Sequence, residues 1–187
     1  MQSGEFAKLT KKQRDFWTKN WGPAPYLKHV GSPMLWVCGS NDQAFYTPPW
    51  MKSVTTSDAE RQLCLKIRWP HGHSACAEEV AEIATFMDEH LRQATPLLKV
   101  HALAMQESTL VAKWHGERPL LSANLLLTVD DAKNWPDNIW HEISVDIDRD
   151  SGTLSCELPP GTGAATFSLF DHDFNQVNSD VVFPFQT

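Results

Sequence analysis

Two apolar runs constrain this chain more than any other feature. One lies in Pro33-Met-Leu-Trp-Val-Cys-Gly-Ser-Asn-Asp42, the other in Gln62-Leu-Cys-Leu-Lys-Ile-Arg-Trp-Pro-His-Gly-His73. Met34 to Cys38 is continuously apolar and of strand length, the pattern of a strand buried on both faces, as in a parallel sheet. Gln62 to Trp69 reads as a second strand. Between them lie about twenty residues, enough for the crossover that a parallel pair needs. That crossover holds a short helix over Trp50 to Ser57, begun after Pro48-Pro49. Each strand delivers polar residues at its carboxyl end: Asp42 after the first, His71 and His73 after the second. Parallel α/β sheets place ligands and catalysis at those ends. An acid and a base carried there on consecutive strands are two of the three groups of a hydrolytic triad.

Around this centre the chain divides in two. Phe6, Leu9, Gln13, Phe16, Trp17 and Trp21 form a mostly apolar stripe at helical spacing. Thr10 with Gln13 fits a capping box, so a helix is expected from Lys11 to Asn20. Trp21-Gly22-Pro23-Ala24-Pro25 ends it, because proline cannot continue a helix. A second helix is expected from Ala77 to Arg92, with Ser74 as N-cap. Val80, Ile83, Ala84, Met87 and Leu91 make its apolar face, and Glu78, Glu79, Glu82, Asp88 and Glu89 the opposite one. Near Pro96 the pattern changes to about seven short strand-like runs. They lie near Lys99–Ala104, Thr109–Trp114, Ala123–Val129, Glu142–Ile147, Thr153–Leu158, Ala165–Phe170 and Asp180–Phe183. Asp150-Ser151-Gly152, Pro159-Pro160-Gly161 and Asp173-Phe174-Asn175 supply turns between them. Short strands at such spacing indicate a β-sandwich. The boundary between a first part (1–95) and a second (96–187) falls near residue 95.

The net charge of -7 argues against sequence-independent nucleic-acid binding, which needs a basic face. No apolar run approaches a membrane span. Residues 1–20 are charged and amphipathic, without the apolar core of a signal peptide. The four cysteines, Cys38, Cys64, Cys76 and Cys156, form no C-x-x-C pair. Cys38 and Cys64 lie inside strand patterns and read as buried free thiols.

Several other clusters carry weaker chemistry. His71, His73 and Cys76, with Asp42 nearby, have donor types that suit zinc, but a complete ligand set is not specified. Cys76 at the start of a helix beside His73 has the elements of a thiolate nucleophile, though a structural thiol explains it as well. Asp146, Asp148, Asp150 and Glu157 mimic a calcium loop, but Ser151 occupies the position that needs glycine. A β-hairpin with exposed aspartates fits better. Eight tryptophans are many for this length. Trp36 and Trp69 read as core. Trp114, Trp135 and Trp140 lie in or between sandwich strands, where indoles either pack inward or stack on a carbohydrate.

The order and spacing of these segments resemble α/β-hydrolases of the acetyl-xylan-esterase and dienelactone-hydrolase-like kind that carry a C-terminal β-sandwich. The matching stretches are Tyr26-Leu27, Pro33 to Asp42, Ala44-Phe45, Pro70-His-Gly-His73 and the helix from Glu78 to Leu91. They continue in Val145-Asp-Ile-Asp148, Gly152-Thr-Leu-Ser-Cys-Glu-Leu-Pro159 and Ser179-Asp-Val-Val182. The resemblance implies a partial α/β-hydrolase layer, its last two parallel strands with helices, followed by an immunoglobulin-like β-sandwich. It implies Asp42 as triad acid and His73, which follows a glycine, as the catalytic histidine, with His71 shaping the loop. No metal or cofactor is implied.

One element of the family is missing. Its nucleophile sits on a G-x-S-x-G elbow upstream of the acid, and this sequence contains no G-x-S-x-G. The expectation is therefore a serine esterase-like C-terminal part that carries acid and histidine but is inactive alone. Its open sheet edge would be covered by a second copy or by a complementing N-terminal hydrolase fragment, and its substrate class would be an ester. The alternative is a non-catalytic binding or assembly protein that uses the β-sandwich for a carbohydrate or protein partner.

Overall fold

The structure, a computed structural model, describes residues 5–72, 79–130 and 134–184. It is a mixed α/β chain made mostly of strands in two sheets. The six-stranded sheet has the order β1-β2-β10-β9-β5-β6, the four-stranded sheet the order β3-β4-β8-β7. The strands are β1 Met34–Asn41, β2 Arg61–Pro70, β3 Lys99–Gln106, β4 Thr109–His115, β5 Leu120–Thr128, β6 His141–Ser144, β7 Asp146–Asp148, β8 Thr153–Glu157, β9 Ala164–Asp171 and β10 Gln176–Asn178. The helices are α1 Lys11–Trp21, α2 Ala24–Leu27, α3 Thr47–Val54 and α4 Ala81–Arg92. No helix among the described residues is long and apolar enough to cross a membrane.

β1 and β2 pair in parallel, Met34 opposite Arg61 and Cys38 opposite Leu65, and α3 lies in the crossover between them. One sheet spans the sequence boundary near residue 95, since β1 and β2 precede it and β10, β9, β5 and β6 follow it. Both faces of this sheet are covered. Leu125, Leu127, Phe167 and Leu169 point into a core shared with Leu110, Ala112 and Leu154 of the other sheet. Leu63, Leu65, Leu126 and Ala164 point into a second core with Trp50, Met51 and Val54 of α3 and with Trp135 and Trp140. The period of two sends neighbours such as Leu125 and Leu126 into opposite cores, so strands buried on both sides read as unbroken apolar runs.

The join between the parallel pair and the rest of the sheet is made by side chains. β10 has three residues, and its backbone register with β2 is the single pair Asn178 and Leu63. The Leu65 N–H donates to Asn178 Oδ1 at 2.9 Å, and Gln176 Nε2 donates to the Leu65 carbonyl at 2.9 Å. These buried amides complete the hydrogen bonding that a longer ladder would supply. Asp180–Phe183, expected as the last strand, contributes only the bridge between Val182 and Ala165. A polar strand such as Gln-Val-Asn carries no apolar signal.

Other expectations shift in informative ways. The run Glu142–Ile147 splits at Val145, with β6 joining the six-stranded sheet and β7 the four-stranded one. The capping box forms as expected, Thr10 accepting from the Gln13 N–H and Gln13 from the Thr10 N–H. The α1 stripe, however, is not buried: none of its residues is, and Phe16 and Trp21 are more than half exposed. For α4 the expected apolar face is corrected. Ile83, Met87 and Leu91 are exposed, whereas Glu82 is buried and Phe86 packs against the inter-sheet core. Glu82 turns inward because it has partners there, Lys66 Nζ of β2 at 2.6 Å and the Gln176 N–H of β10 at 2.6 Å. Ser74, the expected N-cap, lies outside the described residues, and Val80 precedes the helix.

Candidate functional site

The carboxyl ends of β1 and β2 meet through an irregularity in their pairing. Gly39 lies opposite Lys66 and Asn41 opposite Pro70, so β2 takes two extra residues at this point. Arg68 adopts a left-handed φ of 60°, and its N–H donates to Ser40 Oγ at 2.9 Å. Bulges of this kind re-aim strand ends beside functional sites. Here the bulge carries Pro70 and His71 over the end of β1.

Asp42 receives them. Its Oδ1 accepts from the N–H groups of Ala44 at 2.6 Å and Phe45 at 2.7 Å. This is a local turn built on an aspartate side chain. Its Oδ2 lies 3.0 Å from His71 Nδ1. The His71 N–H donates to Gln43 Oε1 at 3.3 Å, and the Phe45 ring lies 5.6 Å from the imidazole, tilted by 50°. Backbone and ring of His71 are thus both held by the 42–45 turn. Asn41 fixes the turn from below, donating from Nδ2 to the carbonyls of Pro136 and Asn138.

Desolvation is the strongest influence on the Asp42 carboxyl and pushes its pKa up. The Phe45 N–H, the His71 ring and the Ala44 N–H together outweigh it, so the group sits below its ordinary value and is ionised at neutral pH. Nearby, burial and then the Asp42 charge push the Cys38 thiol up to about 12, so it is a structural thiol and not a nucleophile. Cys64 is pushed up to about 12 by burial as well. Both are free and buried, as the strand pattern implies.

The depressed Asp42 value has a consequence for stability. The unfolded carboxyl titrates near about 3.9. A lower folded value means that its contribution is full above the unfolded value and is lost as pH falls through the folded one. Asp42→Asn is expected to lower the urea midpoint at pH 7, and that difference from the parent is expected to shrink below about pH 4. A difference that stays constant from neutral to acid pH would show that the charge on Asp42 plays no part.

No family model, curated protein or solved structure matches this chain. His73 and Cys76 lie outside the described residues, and with them the zinc reading and the cysteine-nucleophile reading. Among the described residues no group of three or more His, Cys, Asp or Glu side chains comes together to hold a metal ion. The aspartate cluster is a β7–β8 hairpin in which Asp148 accepts from the N–H groups of Asp150 and Ser151 and from the Ser151 hydroxyl. Trp135 and Trp140 are core residues and offer no open stacking surface, whereas Trp114 is half-buried against the inter-sheet core.

The sequence points to Asp42 and to His71 and His73 together, and the resemblance gives His71 only a loop-shaping role; among the described residues it is His71 whose ring meets Asp42. The missed signal is distance along the chain. His71 directly follows the strand end at Pro70, so a carboxylate at the end of the neighbouring strand reaches it first. Gly39, Ser40, Gln43 and Phe45 were also missed as supports. The same turn borders an apolar cavity of about 270 Å³ lined by Pro23, Leu27, Trp36, Phe45, Pro49 and Trp50.

Proposed function

We propose that this chain is the C-terminal part of a serine esterase-like α/β-hydrolase, in which Asp42 and His71 form the proton-relay pair. The observation that carries this reading is the 3.0 Å contact between Asp42 Oδ2 and His71 Nδ1 at the carboxyl ends of two parallel strands. In a hydrolytic triad the carboxylate holds the imidazole through Nδ1, fixes its tautomer and stabilises the imidazolium, while Nε2 exchanges the proton of the nucleophile. An ionised Asp42 held by two backbone N–H groups suits the first role. His71 takes the role here, and His73, expected from the resemblance, is the residue to test against it.

The nucleophile and the oxyanion donors would come from a hydrolase layer placed beside β1. No strand among the described residues pairs with its outer edge. In this reading that layer belongs to a complementing N-terminal fragment or a second copy. The four-stranded sheet and the facing strands of the larger one would be the immunoglobulin-like sandwich. The reaction would be ester hydrolysis through an acyl-serine.

The test is fluorophosphonate labelling and p-nitrophenyl acetate turnover of the assembly purified from its native source. A labelled serine is expected in the assembly, with turnover lost in Asp42→Asn and His71→Ala. His73→Ala separates the two histidines: retained turnover assigns the base to His71, lost turnover to His73. Absence of both label and turnover overturns the esterase reading. It would leave a non-catalytic assembly protein, a reading favoured by one observation, the exposed Phe16, Trp17 and Trp21 on α1.

A further inference from the structure

Two imidazoles converge on β3 and β4, far from the Asp42 turn in sequence. We propose that His101 and His115 form an open two-imidazole site for a borderline divalent transition metal such as zinc, nickel or copper. His101 Nδ1 and His115 Nδ1 are 3.2 Å apart, with ring centroids 4.8 Å apart and the planes at 72°. Two nitrogens at that separation, each about 2.0–2.1 Å from one ion, subtend about 100° there, between the square-planar and tetrahedral angles.

Strand register explains why they converge. His101 lies opposite Lys113, and His115 opposite Lys99. The histidines are therefore diagonal neighbours on one face of the antiparallel pair, close enough for long side chains to meet. That face is the solvent side, because Leu110 and Ala112 of β4 point the other way into the core. The flanking lysines are tied elsewhere. Lys113 donates to Thr153 Oγ1 at 2.6 Å, and Lys99 is paired with Glu60. Their positive charges still disfavour a hard cation that depends on anionic oxygen ligands. An ion held by imidazole nitrogen is less dependent on such ligands.

Without metal, a hydrogen bond between the two Nδ1 atoms requires one ring to carry its proton on Nδ1 and the other on Nε2. Coordination through both Nδ1 atoms requires both rings to carry their proton on Nε2. One proton therefore moves from Nδ1 to Nε2 by exchange with water, with no net release. No third His, Cys, Asp or Glu among the described residues joins the pair. Water fills the remaining positions, which leaves them available to an exogenous ligand.

The experiment is a titration of the untagged chain with zinc sulfate, followed by long-range proton–nitrogen correlation spectra of the histidine rings. The Nδ1 signals of His101 and His115 are expected to move together and to saturate with a single ion. His101→Ala is expected to abolish the movement of His115, and His115→Ala that of His101. His141→Ala, an exposed control, should change neither. Stationary His101 and His115 signals overturn the proposal, as does a His115 response that survives intact in His101→Ala. Signals from the other histidines are read separately, so failure here does not bear on the Asp42–His71 reading. Both substituted positions are exposed, and unchanged far-ultraviolet circular dichroism confirms that the variants fold.

Discussion

Lys66→Met is expected to lower the stability of the chain by about 3 kcal/mol, within the cost of breaking a buried ion pair from one side. The partner left behind is Glu82, whose side chain is 2% exposed. Its Oε1 lies 2.6 Å from Lys66 Nζ and also accepts the Gln176 N–H at 2.6 Å. Without the ammonium, the buried carboxylate keeps the Gln176 N–H, a neutral donor, and has no counter-ion among the described residues. Lys66 is itself 18% exposed, which places the expected cost at the low end of the range for such pairs. The measurement is the urea midpoint at pH 7, with the slope of the transition unchanged. The double variant Lys66→Met with Glu82→Gln is the decisive companion. Glutamine keeps an oxygen for the Gln176 N–H but removes the charge, so most of the lost stability should return. If Lys66→Met alone lies within about 0.5 kcal/mol of the parent, as a surface change would, water reaches Glu82 and the pair does not weld α4 to the sheet.

Glu82 also shows what a sequence reading of this chain could and could not reach. The parallel pair, the crossover helix, the α1 capping box and most of the later strands follow from local patterns, and those patterns are visible in one dimension. The orientation of α4 does not follow. Ile83, Met87 and Leu91 form a good apolar stripe, yet the helix buries Glu82 and packs a half-buried Phe86 on the core, because two donors wait for the carboxylate on β2 and β10. A charge satisfied across 16 residues of chain by Lys66 and across 94 by the Gln176 N–H leaves no local trace. Phe86 was the available clue, the bulkiest side chain of the helix and absent from the expected stripe. β10 was missed for a related reason. Gln176 and Asn178 are polar, and they serve the sheet through side-chain amides that no hydropathy pattern records. At the candidate site the sequence showed which carboxylate and which pair of histidines to consider. The choice of His71 for Asp42 depends on the bulge in β2, which is a property of two strands together.

That bulge gives the second large expected effect, at Gly39. An alanine Cβ there would lie 2.2 Å from the Trp69 carbonyl oxygen, 2.8 Å from its Cβ and 2.9 Å from its carbonyl carbon. Two of the three are backbone atoms, which cannot rotate away as the end of a flexible side chain could. Gly39→Ala is expected to cost about 3 kcal/mol, the upper part of the usual range for overpacking. Relief by moving Trp69 outward would also carry Pro70 and His71 away from the end of β1. The expected result is therefore a double one: a lower urea midpoint, and loss of the His71 ring signal characteristic of its contact with Asp42. Ser40→Ala separates the two parts. It removes the acceptor for the Arg68 N–H without adding volume, so it should disturb the His71 signal at a smaller cost in stability, about 1–3 kcal/mol. Gly31→Ala is the control, since nothing lies within 4 Å of its added Cβ, and it should leave both readouts unchanged. A Gly39→Ala variant that loses stability while the Asp42–His71 contact persists would show that the pair is placed by the 42–45 turn alone. The bulge would then serve packing, not the delivery of the histidine.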